Sequence, residues 1–300
     1  LGIPYNLAKD LPPEANTDDG FQNSSEMLHM SITQLETYRE IASTAITRAV
    51  ALNPQPPMLQ WNIPMQAAAA RHWPEQEKQI ADLNEQLTKD GDKQKHQREL
   101  DQLLERFRQP HNNTYYRDLQ SGRTVRSSWQ YYGAKYAHAP TPPPNDIPVT
   151  PTHIVIIPRG QFLIIELGNQ IPPVGTLRVR VRASQTLQTS ATPPSLRLEF
   201  GWRASNDSRA LIRLSEHDLE ITAKSENPQF YQWEIPLGNI YPRNSVRTTA
   251  KMGATPNPSE YIRLTNSSIS QGNIQIDHVE ITGPIHKQWP PQSHSRIFID

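Results

Sequence analysis

The sequence predicts an α+β chain: an N-terminal helical region with a projecting helical hairpin, packed on a C-terminal antiparallel β-sandwich of jelly-roll type. Three observations predict it. Between residues 31 and 52 apolar side chains recur at three- and four-residue steps, the period of one helix face. A thinner stripe of the same period runs over 74–109 and breaks at Asp90-Gly91. From residue 151 the rhythm changes to every second side chain, with turn residues between short runs, which is the pattern of strands. The organisation that follows is a helical domain over 1–73, a hairpin insertion over 74–110, a Tyr/Pro-rich linking loop over 111–150 and a sandwich over 151–300.

The first helix is predicted over about 32–51. Ser31 and Gln34 fit a capping box, and Leu35, Tyr38, Ala42, Ile46 and Ala49 supply the apolar face. Asn53-Pro54 stops it, because proline disfavours helical geometry in the residue before it. In the second region Pro74 suits a first helical turn, and Glu75 and Glu77 suit the positive end of the helix dipole. Ile80, Leu83 and Leu87, then Leu100, Leu103, Leu104 and Phe107, make a narrow stripe on an otherwise polar pair of helices. Such a pair gains little burial by itself. It reads either as a solvated insertion or as a short coiled-coil contact with a partner. The proline run Pro140, Pro142, Pro143 and Pro144 favours extended backbone.

Eight or nine strands are predicted after 151: His153–Ile157, Phe162–Leu167, Leu177–Ala183, Leu196–Trp202, Leu211–Leu214, Leu219–Ala223, Phe230–Ile235, Tyr261–Leu264 and Ile274–Thr282. Short strands punctuated in this way argue for a sandwich. Ile154–Ile157 and Phe162–Ile165 are apolar at both parities, so their outer faces need a cover. The N-terminal helix is the expected roof. In the last strand Ile274 and Ile276 share one parity and Val279 and Ile281 the other. A bulge near Asp277-His278 would reconcile them.

Composition excludes some functions. Thirty basic and thirty acidic residues give a formal net charge of zero, so no whole-molecule attraction to nucleic acid or anionic membrane is expected. With no cysteine there is no disulfide, thiolate metal site, cysteine nucleophile or covalently attached c-type haem in this chain. No run approaches the ~18–20 apolar residues of a membrane span. The chain opens on Leu1, not Met, and reads as the middle of a domain. A piece of a longer protein is expected, in which missing targeting signals carry little weight. Motifs for acyl transfer, nucleotide binding and zinc proteolysis are missing, and the ten histidines are scattered. Catalysis is not expected.

Three groups of residues could carry binding. Arg178, Arg180 and Arg182 share one strand face opposite Leu177, Val179 and Val181. They could grip an acidic polysaccharide through bidentate contacts, or form a solvated face laced with cross-strand pairs to residues such as Glu199. Among aromatics, Trp202, Tyr231, Tyr241 and Trp129 are candidate sugar platforms, whereas Trp233 shares its parity with Tyr231 and Ile235 and reads as core. Asp277, re-aimed by the bulge, could join Glu166 in a calcium site. Calcium wants six to eight oxygens, and the sequence offers two carboxylates; an Asp held by a nearby turn is the alternative.

Two parts resemble known families. Gly175-Thr176-Leu177-Arg178-Val179-Arg180-Val181-Arg182-Ala183-Ser184 and Ile276-Asp277-His278-Val279-Glu280-Ile281-Thr282-Gly283-Pro284 resemble the inner and closing strands of galactose-binding-like carbohydrate-binding modules. Leu1-Gly2-Ile3, Leu11-Pro12-Pro13-Glu14, Asp19-Gly20-Phe21-Gln22-Asn23 and Leu28-His29-Met30-Ser31 resemble a domain of unknown function from large planctomycete proteins. Gly283-Pro284 with Trp289-Pro290-Pro291 resembles the exit from the sandwich in the same proteins. The resemblance covers roughly 1–60 and 150–300, and implies an exported protein, periplasmic or extracellular, in which a cytochrome-c-like haem domain precedes this region. No Cys-x-x-Cys-His haem motif is present here, so haem is expected only in other parts of such a protein. The expectation is a non-catalytic carbohydrate-binding module. The competing one is an assembly module that holds neighbouring domains or subunits of a redox complex and has no ligand of its own.

Overall fold

A computed structural model describes residues 31–89, 93–127, 137–168, 170–172, 174–186, 192–203, 209–240, 260–269 and 272–298, with Leu7 and Leu11. In chain order these form α1 (Ile32–Ala49), β1 (Leu59–Pro64), α2 (Met65–Ala69), α3 (Pro74–Lys89), α4 (Lys93–Phe107), β2 (Tyr115–Asp118), β3 (Thr124–Arg126) and β4 (His153–Ile157). Then come β5 (Phe162–Gly168), β6 (Thr176–Gln185), β7 (Ser195–Arg203), β8 (Arg209–Arg213), β9 (Leu219–Glu220), β10 (Gln229–Pro236), β11 (Glu260–Asn266), β12 (Ile274–Ile285) and α5 (Gln292–Ile297). Among the described residues no helix is long and apolar enough to cross a membrane.

The strands make two antiparallel sheets. One runs β10-β6-β12-β4-β2-β3, with β1 also paired to β12; the other runs β5-β11-β7-β8, with β9 paired to β7. Alternation decides what lies between them. Leu177, Val179 and Val181 of β6 and Val279 and Ile281 of β12 meet Leu163 and Ile165 of β5, Leu198 and Phe200 of β7, and Ile262 and Leu264 of β11 in one core. Fully burying a side chain of this size contributes about 1.5–3 kcal/mol.

The main sheet takes three strands from before residue 151, where helix and loop were expected. β1 lies against the second half of β12, from Leu59 opposite Gly283 to Pro64 opposite His278, and β2 pairs with β4. The Pro-rich segment is more than a link. Thr141 N–H donates to the Gln60 carbonyl (2.7 Å), and Asn62 N–H donates to Thr141 Oγ1 (3.1 Å). This segment therefore covers the outer edge of β1, and an uncovered edge invites pairing with other chains.

The expected roof is also corrected. α1 begins at its capping box, with Ser31 Oγ accepting from Gln34 N–H and Gln34 Oε1 accepting from Ser31 N–H. Its apolar row does not cover the sandwich: Ile32 is 79% exposed, Leu35 59% and Ile46 57%. α1 is tied at its last turn, where Ser293 Oγ donates to the Ala49 carbonyl (2.9 Å) and Ala51 N–H donates to His294 Nδ1 (3.1 Å). The helical part that packs on the sandwich is α2, whose Met65, Ala68 and Ala69 enter the core with Trp61 and Trp73. The second parity of β4 is met by strand neighbours, since Ile154 and Ile156 cluster with Tyr115 of β2. On β5, the Arg263 guanidinium lies 4.9 Å from the Phe162 ring centre.

Gly201 falls inside β7. It faces Tyr261 of β11 across the sheet, and a Cβ there would overlap the Tyr261 ring. Gly201→Ala should therefore cost about 1–3 kcal/mol, the usual penalty for overpacking. Thermal unfolding checks this; an unchanged midpoint would show that the ring moves aside freely.

Candidate functional site

The arginine face comes first. Arg178 donates from Nε and Nη2 to Glu234 Oε1 at 3.0 and 2.8 Å. Arg180 donates to Glu280 Oε2 at 2.5 Å and lies 4.2 Å from the Phe230 ring centre. Arg182 donates from Nε to Asp277 Oδ1 at 2.5 Å. Each guanidinium already faces a carboxylate of β10 or β12, so the row is a ladder of cross-strand pairs across three adjacent strands. The structure does not present it as an open anion grip.

The two carboxylates put forward for calcium do not share a site. The bulge is where the phase slip puts it, between Ile276 and His278, and it turns Asp277 toward Arg182. Glu166 lies in the other sheet and accepts from Arg71 Nη1 at 3.0 Å. Burial raises the Asp277 carboxyl above its usual range, and the Arg182 hydrogen bond and charge only partly offset this. A guanidinium against each oxygen donor set does not fit a calcium ion, and no metal-holding cluster of His, Asp or Glu occurs among the described residues.

The aromatic candidates separate. Trp129 and Tyr241 lie outside the described residues. The Tyr231 hydroxyl accepts from the N–H groups of Thr222 and Ala223, both at 3.0 Å, and so pins the chain after β9. Trp202 is half-buried and tilted on Phe200, with centroids 6.0 Å apart. Among the described tryptophans, Trp61, Trp73 and Trp233 are buried, and Trp202 and Trp289 are half-buried.

The structure instead opens a cleft of about 580 Å³ between the edge strands β8 and β10, one from each sheet. That volume lies within the ~300–1,000 Å³ typical of ligand sites. Ile212, Leu214, Trp233 and Ile235 line it with apolar surface, and Arg213, Glu216, His217 and Glu234 supply polar groups. Trp233 is 7% exposed, as its parity predicts, and its indole N–H is buried without a partner. Arg213 fixes the loop after β8 by donating from Nε to the Ser215 carbonyl (2.8 Å) and from Nη2 to the Glu216 carbonyl (3.1 Å) and Asp218 Oδ1 (2.8 Å). Burial alone would raise the Asp218 carboxyl. Hydrogen bonds from Arg197 and Ser267, with the charges of Arg197 and Arg213, outweigh it and hold Asp218 below its usual range. Ser215 is tied to Leu198, accepting from its N–H and donating to its carbonyl. Glu216 and His217 are left exposed at the rim. Sequence reasoning missed this site because β8 and β10 come from different sheets, and only the folded topology sets them side by side.

Comparison with known proteins gives one family match: the family described as PSD3, protein of unknown function (DUF1587), over residues 1–51. The match ends just past α1 and leaves out every described strand. No curated protein matches the chain. Among solved structures, one similar to this chain is the CBM22-1 xylan-binding domain of Xyn10C from Paenibacillus barcinonensis, at 12% identity and a TM-score of 0.30, covering 44% of this chain and 72% of that one. A family 16 carbohydrate-binding module aligns at 11% identity and a TM-score of 0.24, over 44% of this chain and 77% of that one. The xylan-binding module CBM15 aligns at 11% identity and a TM-score of 0.24, over 57% and 90%.

Proposed function

We propose that the chain is a non-catalytic carbohydrate-binding module that takes a polysaccharide segment in the cleft between β8 and β10. The observation that carries this reading is the cleft's mixed lining, an apolar floor at Trp233, Ile235 and Leu214 under a rim of Glu216, His217 and Glu234. A sugar ring is polar at its edge and apolar on its faces, and pockets of this kind orient a ligand with a few polar groups over apolar surface. On this reading the chain works where polysaccharide is met, outside the cytoplasm. Titration calorimetry against a panel of soluble oligosaccharides tests it. His217→Ala, at an exposed position, should leave the fold intact and weaken binding about fivefold to tenfold, the equivalent of one hydrogen bond. If no oligosaccharide gives heat at millimolar concentration, the reading is wrong.

One observation favours a second reading, an assembly module without its own ligand. Ile32, Leu35, Tyr38 and Ile46 lie exposed on α1, in the segment that the family match covers. A neighbouring domain or subunit of a larger protein, including a haem-bearing one, would bury that row. Leu35→Gln with Ile46→Gln would break such an assembly and leave sugar binding untouched.

A further inference from the structure

We infer that Glu216 sets the charge preference of the cleft, admitting uncharged glycan and disfavouring uronic or sulfated glycan. The inference rests on the carbohydrate reading and gives it a ligand class. The charges around the cleft carry it. Arg213 is held by two main-chain carbonyls and Asp218. Across the cleft, Glu234 accepts from Arg178 through two N–H groups, so that carboxylate and its cation balance each other. Asp218 is shared by Arg197 and Arg213 below the rim. Among the described residues no cation pairs with Glu216, which lines the cleft and stands exposed at its mouth. An incoming carboxylate or sulfate would meet that charge at the mouth, where the Arg213 guanidinium is turned through Nε and Nη2 to the loop carbonyls and Asp218. Hydroxyl groups meet an acceptor that no donor among the described residues occupies.

Like charges a few ångströms apart at a wet surface repel by about as much as opposite ones attract, roughly a fivefold change in affinity. The repulsion weakens as salt shortens the Debye length below about 10 Å. For each backbone that the wild-type chain binds, the uncharged oligomer is therefore compared with a uronate-bearing oligomer of the same linkage and length. Calorimetry at low and high salt is run with the wild type and Glu216→Gln. The wild type should prefer the uncharged oligomer. Glu216→Gln should strengthen uronate binding about fivefold at low salt, change uncharged binding by less than about twofold, and lose most of its gain at high salt. A wild-type chain that prefers the uronate form, or a Glu216→Gln variant that moves both ligands equally, overturns the inference while the carbohydrate reading stands. A wild-type chain that binds neither form overturns both.

Discussion

Arg182→Ala should destabilise the protein by about 3–5 kcal/mol, the usual result of stranding one partner of a buried ion pair. The Arg182 side chain is 10% exposed and that of Asp277 4%. Their contact is buried in the bulge of β12, beside a cavity of about 110 Å³ lined also by Pro64, Ile147 and Pro148. Burial already outweighs Arg182 and keeps the Asp277 carboxyl above its usual range. Without the guanidinium that range rises further, and the carboxylate must either stay charged without its partner or take up a proton. The loss relative to wild type should therefore be largest near pH 8 and shrink toward pH 5, measured by urea unfolding at each pH.

The same pair allows a sharper test. Arg182→Met combined with Asp277→Leu removes both charges and keeps apolar volume, a change that is often neutral or stabilising. The double variant should recover most of the single variant's loss. A single variant within about 1 kcal/mol of wild type would show that water reaches Asp277 and that the pair is effectively a surface contact. A double variant as unstable as the single one would show that the bulge needs the Asp277 carboxylate itself.

Much of this geometry could be read in the chain. The parity slip between Ile276 and Val279 located the bulge, because two apolar pairs out of phase in one strand leave room for one extra residue. The arginines of β6 fell opposite Val179 and Val181 for the same reason. What lay outside the sequence was the partner of each. Glu234, Glu280 and Asp277 are 56, 100 and 95 residues from their arginines, and no local pattern encodes that distance. β1 did leave a trace: Leu59, Trp61 and Ile63 alternate with Gln60 and Asn62. The run is only six residues long and stands among prolines, so the helical stretches on either side hid it. β2 and β3 are shorter still, at four and three residues.

The roof failed for an energetic reason. Doubly apolar strands need cover, but cover from an adjacent strand serves as well as a helix. Tyr115 beside Ile156 provides it on β4, whereas on β5 Arg263 lies over Phe162 and still leaves it 40% exposed. α1 keeps helical spacing in its apolar row whether or not the row is buried, because periodicity reports a face and not what lies against it. The cleft was beyond sequence for a related reason. Trp233 was legible as core, and its neighbours across the gap, Leu214 to His217, belong to a loop whose position follows from sheet order.

Stability should be nearly constant above pH 6.5 and fall steeply as the pH drops toward 4. His72, His138 and His278 each have a pKa lowered from 6.5 to about 4. Burial is the largest cause in all three; the Arg71 charge adds to it for His72 and His138, and the Arg182 and Arg180 charges for His278. A histidine with a depressed folded pKa is neutral in the native state and takes a proton more readily when unfolded. Its contribution is therefore complete above about pH 6.5 and is lost as the pH falls through the window down to about 4. Each such group approaches a slope of about 1.4 kcal/mol per pH unit inside that window. Asp277, with a raised carboxyl, works in the opposite direction, but it is one group against these three and against His111, His153 and His286, which burial also lowers. Glu280 lies 3.8 Å from His278 Nε2, yet it pairs with Arg180 and does not restore the histidine's charge. His278 Nε2 is buried without a hydrogen-bond partner, so His278→Gln should reduce the pH slope by about one proton without abolishing folding. Urea titrations from pH 7.5 to 4.5 on both proteins would show the difference. Equal free energies at pH 7.5 and 5 in the wild type would mean that these imidazoles are solvated, and the packing of α2 and the bulge described above would then be wrong.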